Sequence, residues 1–382
     1  MISPTASRSS SPMAHHTSLN SPARYTLIRG CSLFNDRRLA SRYYIGTSGR
    51  VAAVTSAFQR TALSQLALGI DPLAHVSTEV RNELERFIEG LAINGFLNHQ
   101  RAQLSAPKRY FDSISESDIA AHHMRVRCEP ELAQSEWIDG SGDGGTSIVA
   151  ARSQYPIVLS GRSRVITLLY SILLASGVTR VRFADRYYRP GVESADVGFG
   201  AITADDLGLN FYERCESARR ALSLFPIESG SRYDLDTSRP VAIVHYGDCD
   251  PESLVEWSNK RLPHLVIHKP IGDEIAVGPM VIPGETPCIR CLSLYEMDNF
   301  GFTRLERIPI NEVGELPTYA AHYIASIVAM HILNFIDRTS DSDYGSATRN
   351  TSIGEVSFIN FQRLTEPQVV AIARHPLCGC AY

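Results

Sequence analysis

"YPIVLSGRSRVITLLYSILLASGVTRVRFAD", residues 155–185, decides the fold. Its first apolar run, "IVL", is short and rich in branched side chains, which is the pattern of a buried strand. "RVITLLYSILLASG" is apolar at helical spacing and stops at Gly177, the residue type that most readily ends a helix. "VTRVRF" is again a strand. Two strands joined by a helix of this length pair in parallel, because a parallel pair needs a crossover. Downstream, "PVAIVHYGD" (240–248), "HLVIHKPI" (264–271) and "IAVGPMVIPG" (275–284) read as more buried strands. The repetition implies an α/β domain over residues 151–382 built on a mostly parallel sheet.

Upstream the pattern differs. "YTLIRGCSLF", "RYYIG" and "RVAAV", within residues 25–55, are short strands separated by turn residues. Phe58, Ala62 and Leu66 then recur at four-residue spacing up to Gly69. After Ser77, a helix N-cap residue, Val80, Leu84, Phe87, Ile88 and Leu91 form an apolar stripe. Three strands and about three helices describe a small winged-helix-like domain over residues 23–100. Residues 101–150 are polar and end in "DGSGDGGTS" (139–147), the chemistry of a connection. Residues 1–22, rich in Ser, Pro and His, read as a disordered leader, and no apolar run there marks a secretory signal.

Charge and composition exclude several functions. A formal charge of −4 argues against bulk nucleic-acid or anionic-membrane binding. The longest apolar stretch, 319–336, is interrupted by His322, His331 and Asn334, so a core helix is expected and not a membrane span. Only Lys108, Lys260 and Lys269 are lysines, the other 34 basic residues being arginine. A cytoplasmic protein is expected, in which eight cysteines serve as metal ligands more readily than as disulfides.

Four of those cysteines fall in two close pairs, Cys288/Cys291 and Cys378/Cys380. Zinc takes four thiolate or imidazole ligands in a tetrahedron, and two tight turns that each offer two sulfurs meet that need. Gly379 frees the backbone between the second pair. The site expected is a structural Zn2+ that clasps the C-terminal tail to the domain body. Free thiols and a redox pair are the alternatives, and His375 is an alternative ligand. Cys31, Cys128, Cys215 and Cys249 are solitary and read as plain thiols.

"LPHLVIHKPIGDEIAVGPMVIPGETPCIRCLSLYEMD" (262–298), followed by the terminal "HPLCGC", resembles the ThiF-like partner proteins of azoline-forming peptide biosynthesis. These are leader-peptide-binding subunits that work with YcaO-type cyclodehydratases on ribosomally made peptides, including thiopeptides. The resemblance covers residues 155–382 and, with weaker motifs, 25–97. It implies that a leader peptide adds a strand to "RVAAV" (Arg50, Val51, Ala52, Ala53 and Val54) and packs on the helix near 79–91 through Leu84, Phe87 and Ile88. A winged-helix nucleic-acid module is the alternative. Its recognition helix, "TEVRNELERFIEG", carries four acids against two arginines, a poor surface for phosphates. Six arginines on the strand half (Arg24, Arg29, Arg37, Arg38, Arg42 and Arg50) suit an acidic leader.

The resemblance also extends to the adenylating fold of ubiquitin-activating enzymes, which cradle phosphates on a Gly-rich strand-to-helix turn and hold ribose with an acid. Here "SGRSRVI" keeps Gly161 but puts Ser163 and Ile166 in the other two glycine positions, with Asp185 matching the ribose acid. No lysine lies between Lys108 and Lys260, where the triphosphate lysine is expected. The nucleotide site therefore reads as vestigial, with ATP not bound by this chain. The reading is a non-catalytic adaptor that presents a precursor peptide to a YcaO-type cyclodehydratase, with a homodimer compatible with it. The alternative is an ATP-dependent enzyme that adenylates a peptide carboxylate.

Overall fold

The structure, a computed structural model, describes residues 25–36, 38, 42–47, 50–74, 76–99, 118–135, 144–184, 190–225, 241–308, 310, 315–339 and 353–380. The leader expected over 1–22, Asp185 and most of the glycine-rich 139–147 stretch lie outside them. The chain divides into two compact units, Met1–Gln103 and Leu104–Tyr382.

In the first unit, β1 (Tyr25–Leu27) pairs antiparallel with β5 (Leu97–His99). Strands β2 (Ser32–Asn35), β3 (Tyr43–Thr47) and β4 (Arg50–Val54) form a separate antiparallel sheet in the order β2-β3-β4. Gly46 makes the return from β3 to β4 possible: its φ is +131°, and a Cβ there would lie 2.0 Å from the Arg50 carbonyl oxygen. Two helices follow, α1 (Ala57–Ala67) and α2 (Thr78–Ile93). Among the described residues 72–74 form only a turn, so two helices stand where about three were expected. Ser56 caps α1, accepting from the Gln59 N–H at 3.2 Å, and its hydroxyl donates to Glu83 of α2 at 2.5 Å. Ile45, Val54, Ala62, Leu66, Leu84, Leu91 and Phe96 are buried. The buried face of α1 turns on Ala62, Leu63 and Leu66, which leaves Phe58 52% exposed despite its place in the four-residue spacing.

The second unit is an α/β domain around a seven-stranded sheet. Its strands are β6 (Ile157–Ser160), β7 (Val181–Phe183), β8 (Ala242–Tyr246), β9 (His264–Ile267), β10 (Glu274–Val281), β11 (Glu355–Asn360) and β12 (Gln368–Ala371). Their order is β12-β11-β10-β9-β8-β6-β7. The βα half expected from the sequence, β7-β6-β8-β9, is parallel. Beyond β9 the sheet continues antiparallel through β10, β11 and β12. The reason is local: β9 and β10 are separated only by a turn near Gly272, too short for a crossover.

Helices supply the layers: α3 (Asp118–Ser135), α4 (Thr146–Arg152), α5 (Arg164–Ala175), α6 (Phe211–Leu222), α7 (Pro251–Asn259), α8 (Ile289–Phe300) and α9 (Thr318–Thr339). Helix α5 is the crossover anticipated from "RVITLLYSILLA", and Val165, Ile166, Leu169 and Leu173 are fully buried. Helix α9 is long and apolar enough to cross a membrane by length and composition. Its stripe Ala321, Ile324, Ala325, Val328, Ile332 and Ile336 is instead sealed in the core beside α5 and the sheet.

The segment read as a connection, 101–150, contributes to this unit. Arg152 on α4 makes a bidentate pair with Asp337 on α9 at 2.9 and 2.8 Å, and reaches Glu131 on α3 at 3.0 Å.

Candidate functional site

The cysteine pairs meet. Pro287 leads into Cys288, which stands at the N-cap position of α8, and Cys291 lies one turn inside. After β12 the chain returns along residues 372–380, and Arg374 donates to the Gly284 carbonyl of the turn before α8. Gly379 has φ +74°, a left-handed conformation that turns the chain between Cys378 and Cys380 and that residues with a Cβ rarely adopt. The sulfurs of Cys288 and Cys291 are 3.8 Å apart, those of Cys288 and Cys378 3.3 Å, and those of Cys291 and Cys380 3.4 Å. All four lie within 4.8 Å of one another.

These separations fit a metal. A disulfide requires about 2.05 Å between sulfurs, whereas a tetrahedron at a Zn–S distance near 2.3 Å has edges of about 3.8 Å. The electrostatics agree. Burial pushes the Cys288 thiol up, and the Cys378 thiol up to about 11. At Cys291 burial acts the same way but is outweighed by hydrogen bonds, first that of the His375 N–H, which leaves this thiol lowered. Burial thus disfavours the thiolates of Cys288 and Cys378, and a cation among the sulfurs would reverse that balance, since coordinating thiols are deprotonated outright. The four cysteines could thus hold a metal ion. His375 turns away from them: its Nε2 meets Asp298 at 2.9 Å and its Nδ1 accepts from the Leu377 N–H at 3.2 Å. The alternative ligand is therefore directed elsewhere.

The "RVAAV" strand is the outer strand of its sheet, with β3 on one side. Val51 is 52% exposed, Ala52 and Ala53 are half-buried and Val54 is fully buried. Arg50 donates to the Gly95 carbonyl at 3.1 Å. On α2 the expected contact residues divide. Leu84 and Ile88 are buried, because the face of α2 that carries them builds the core, and Phe87 is half-buried. Of the six arginines, Arg29 and Arg38 are exposed and Arg42 stacks over the Tyr44 ring at 5.4 Å. Arg24 and Arg37 lie outside the described residues.

The Gly-rich position follows β6. Gly161 has φ +86°, and a Cβ there would lie 2.1 Å from the Tyr246 carbonyl oxygen, so close packing on β8 by itself demands glycine. Ser163 caps α5, accepting from the Val165 N–H at 3.1 Å, and Ile166 fills the core. Both nearby arginines are committed to carboxylates. Arg162 holds Asp196 through Nε at 3.1 Å and Nη2 at 2.5 Å, pairs with Glu193 and donates to the Gly191 carbonyl at 2.7 Å. Arg164 faces Glu315 at 3.4 Å and donates to the Leu316 carbonyl at 3.1 Å.

Sequence reading missed one constellation. β6 connects to β7 on one side and the chain then returns to β8 on the other, so the strand order reverses between β6 and β8. Crevices outside the carboxyl ends of strands at such a point are where α/β sheets bind ligands. Just past β8, Asp248 takes a bidentate pair from Arg307 at 3.1 and 3.0 Å and faces Lys269 at 3.4 Å. Burial works to raise the Asp248 carboxyl, but Arg307 and Lys269 outweigh it and hold it below the usual range. The signal available was "HYGD" ending a strand. Lys269 lies nine residues beyond Lys260, the end of the lysine-free stretch.

No protein-family model and no curated protein matches the chain. Solved structures do. E. coli MccB with AMPCPP and MccA has 15% identity and a TM-score of 0.59, and E. coli MccB with ATP has 15% and 0.57. Each comparison covers 94% of this chain and 99% of the other. A further structure presents MccB as the microcin C7 biosynthetic enzyme in complex with N-formylated MccA. PaaA, at 16% identity and a TM-score of 0.59, is covered over 99% of its length by 90% of this chain. At such identities the likeness is one of fold alone, and it extends over nearly the whole length of this chain and of MccB and PaaA.

Proposed function

We propose that the chain is an adaptor that binds the leader of a ribosomally made precursor peptide and presents it to a YcaO-type cyclodehydratase, which forms azolines from Cys, Ser or Thr. The observation that carries this reading is the placement of β4: an outer strand with a half-exposed valine, on a unit whose arginines Arg29 and Arg38 face solvent. An outer strand has a row of backbone donors and acceptors that an extended peptide can take up, and the cations favour acidic leader side chains. MccB, of the same fold, has been crystallised with MccA, which supports a ligand-capturing role for this architecture.

In this reading Cys288, Cys291, Cys378 and Cys380 hold a structural Zn2+. Bound there, the ion would contribute cross-linking and no chemistry, since four thiolates leave no open position. The chain's own residues do the rest: β4 aligns the peptide backbone, and Phe87 on α2 is the half-buried apolar contact beside the core residues Leu84 and Ile88.

A second reading, adenylation of a peptide carboxylate, is favoured by the MccB structures with ATP and AMPCPP and by the gathering of Lys269 and Arg307 at the ends of the parallel strands. Against it stand Ser163 and Ile166 in the glycine positions and the commitment of Arg162 to Asp196. Calorimetric titration of the full chain with a synthetic leader, and separately with ATP and magnesium, separates the two. Leader binding without nucleotide binding is the expected result. Tight nucleotide binding with peptide-dependent pyrophosphate release would replace the adaptor by the enzyme.

A further inference from the structure

Ser160 closes β6 and His245 lies beside it on β8, the two being direct partners across the parallel pair. The Ser160 hydroxyl oxygen is 3.1 Å from His245 Nδ1, and His245 Nε2 is 3.3 Å from the main-chain carbonyl oxygen of Asp248. A carbonyl oxygen only accepts, so this contact keeps the ring proton on Nε2 and leaves the lone pair of Nδ1 facing the serine hydroxyl. Nucleophile, base and an orienting group behind the base stand in sequence, the relationship that activates a serine.

Three further features suit chemistry. Both side chains are half-buried, thus sheltered yet reachable, and they sit where the strand order reverses. The His245 ring packs on Trp257, with centroids 5.7 Å apart, which restrains its orientation. Gly247 has φ +118°, and a Cβ there would approach Lys269 Cε at 3.9 Å and His245 Nε2 at 4.0 Å. Those distances are ordinary van der Waals contacts, so it is the positive φ, which residues with a Cβ rarely adopt, that calls for glycine just past His245.

We propose that Ser160 and His245 form an acyl-accepting pair whose substrates are activated carboxylic esters. As the Ser160 oxygen bonds to the ester carbonyl carbon, its proton passes to His245 Nδ1. Collapse of the tetrahedral adduct breaks the bond to the leaving alcohol, which takes that proton from His245. Water then repeats the sequence on the acyl-serine, releasing the acid and restoring Ser160. The activity is independent of peptide capture by the first unit and of the metal site.

The test uses the full-length protein with a fluorophosphonate and with 4-nitrophenyl acetate. Peptide mapping by mass spectrometry is expected to find the phosphonyl adduct on Ser160, and acetate release is expected to disappear in Ser160→Ala. His245→Gln, which keeps a polar group without a base, should slow labelling by about 100-fold or more while zinc content and melting temperature stay unchanged. Should Ser160→Ala fail to fold, Ser160→Cys retains a nucleophile whose alkylation by iodoacetamide must likewise depend on His245. No adduct, an adduct on another residue, or equal labelling of wild type and His245→Gln overturns the proposal.

Discussion

The sulfur of Cys291 lies 3.4 Å from that of Cys380, although 89 positions of sequence separate them. The contact closes a loop that contains α8, α9, β11 and β12, so the last described turn of the chain is held against the start of α8. A metal on these sulfurs would have binding free energy that is also folding free energy.

Protein purified without chelator is therefore expected to carry one zinc per chain by elemental analysis. Cys378→Ser or prolonged chelation should lower the melting temperature by several degrees, about 2–4 °C for each kcal/mol lost in a unit of this size. Metal-free protein with an unchanged melting curve would rule the clasp out.

Peptide capture is expected to depend on the outer strand. Val51→Pro removes a main-chain N–H and restricts the backbone of β4 at an exposed position, so leader affinity should fall about tenfold or more, equivalent to about 1.4 kcal/mol. Val54 is a poorer target because it is fully buried, and its replacement would also open the core. Calorimetry on the full chain, with circular dichroism to confirm folding, reads the effect. Equal affinity for Val51→Pro and wild type would move recognition elsewhere.

Pyrophosphate release is expected to be absent when purified protein is mixed with ATP, magnesium and precursor peptide. A coupled phosphate assay checks this, with Asp185→Ala as the control. Release that this substitution abolishes would show the nucleotide site to be active.

Arg152→Ala should destabilise the second unit by about 3–5 kcal/mol, because it strands the buried Asp337 carboxylate without its bidentate partner. Urea unfolding measures the loss. The double variant Arg152→Met/Asp337→Leu should recover most of it, since replacing a buried pair by apolar groups is far less costly than breaking it.

Acid should weaken the fold through two buried histidines. Burial pushes His268 down to about 3 and His331 down to about 4. Their folded values lie below the ordinary value near 6.5, so between those limits the unfolded chain binds protons that the folded chain refuses. Stability is then fully present above about pH 6.5 and falls as pH drops toward 4, at about 1.4 kcal/mol per pH unit for each histidine. His331→Leu should flatten that slope in urea titrations at pH 4.5 to 7, and an unchanged slope would assign the acid sensitivity to other groups.

The fold was legible where short-range rules suffice. "RVITLLYSILLASG" announced α5 by its periodicity and Gly177, and "RVAAV" and "YPIVLSG" announced their strands. The cysteine spacings pointed to one cluster able to hold a metal, because a pair three positions apart at a helix start and a Cys-Gly-Cys pair are each brought together by local geometry. The stripe on α2 was legible as apolar, but its periodicity could not say which residues face the core and which a groove.

By itself, then, the sequence determined the βα alternation, the strand-rich stretch 25–55 and the closeness of the cysteines within each pair, because these depend on neighbours a few residues apart. Tertiary structure decided that Arg162 is spent on Asp196, that Lys269 and Arg307 gather on Asp248, that Leu84 and Ile88 belong to the core and that Ser160 meets His245. Those relationships join residues from separate elements, and only the order in which strands enter the sheet brings them within hydrogen-bonding reach.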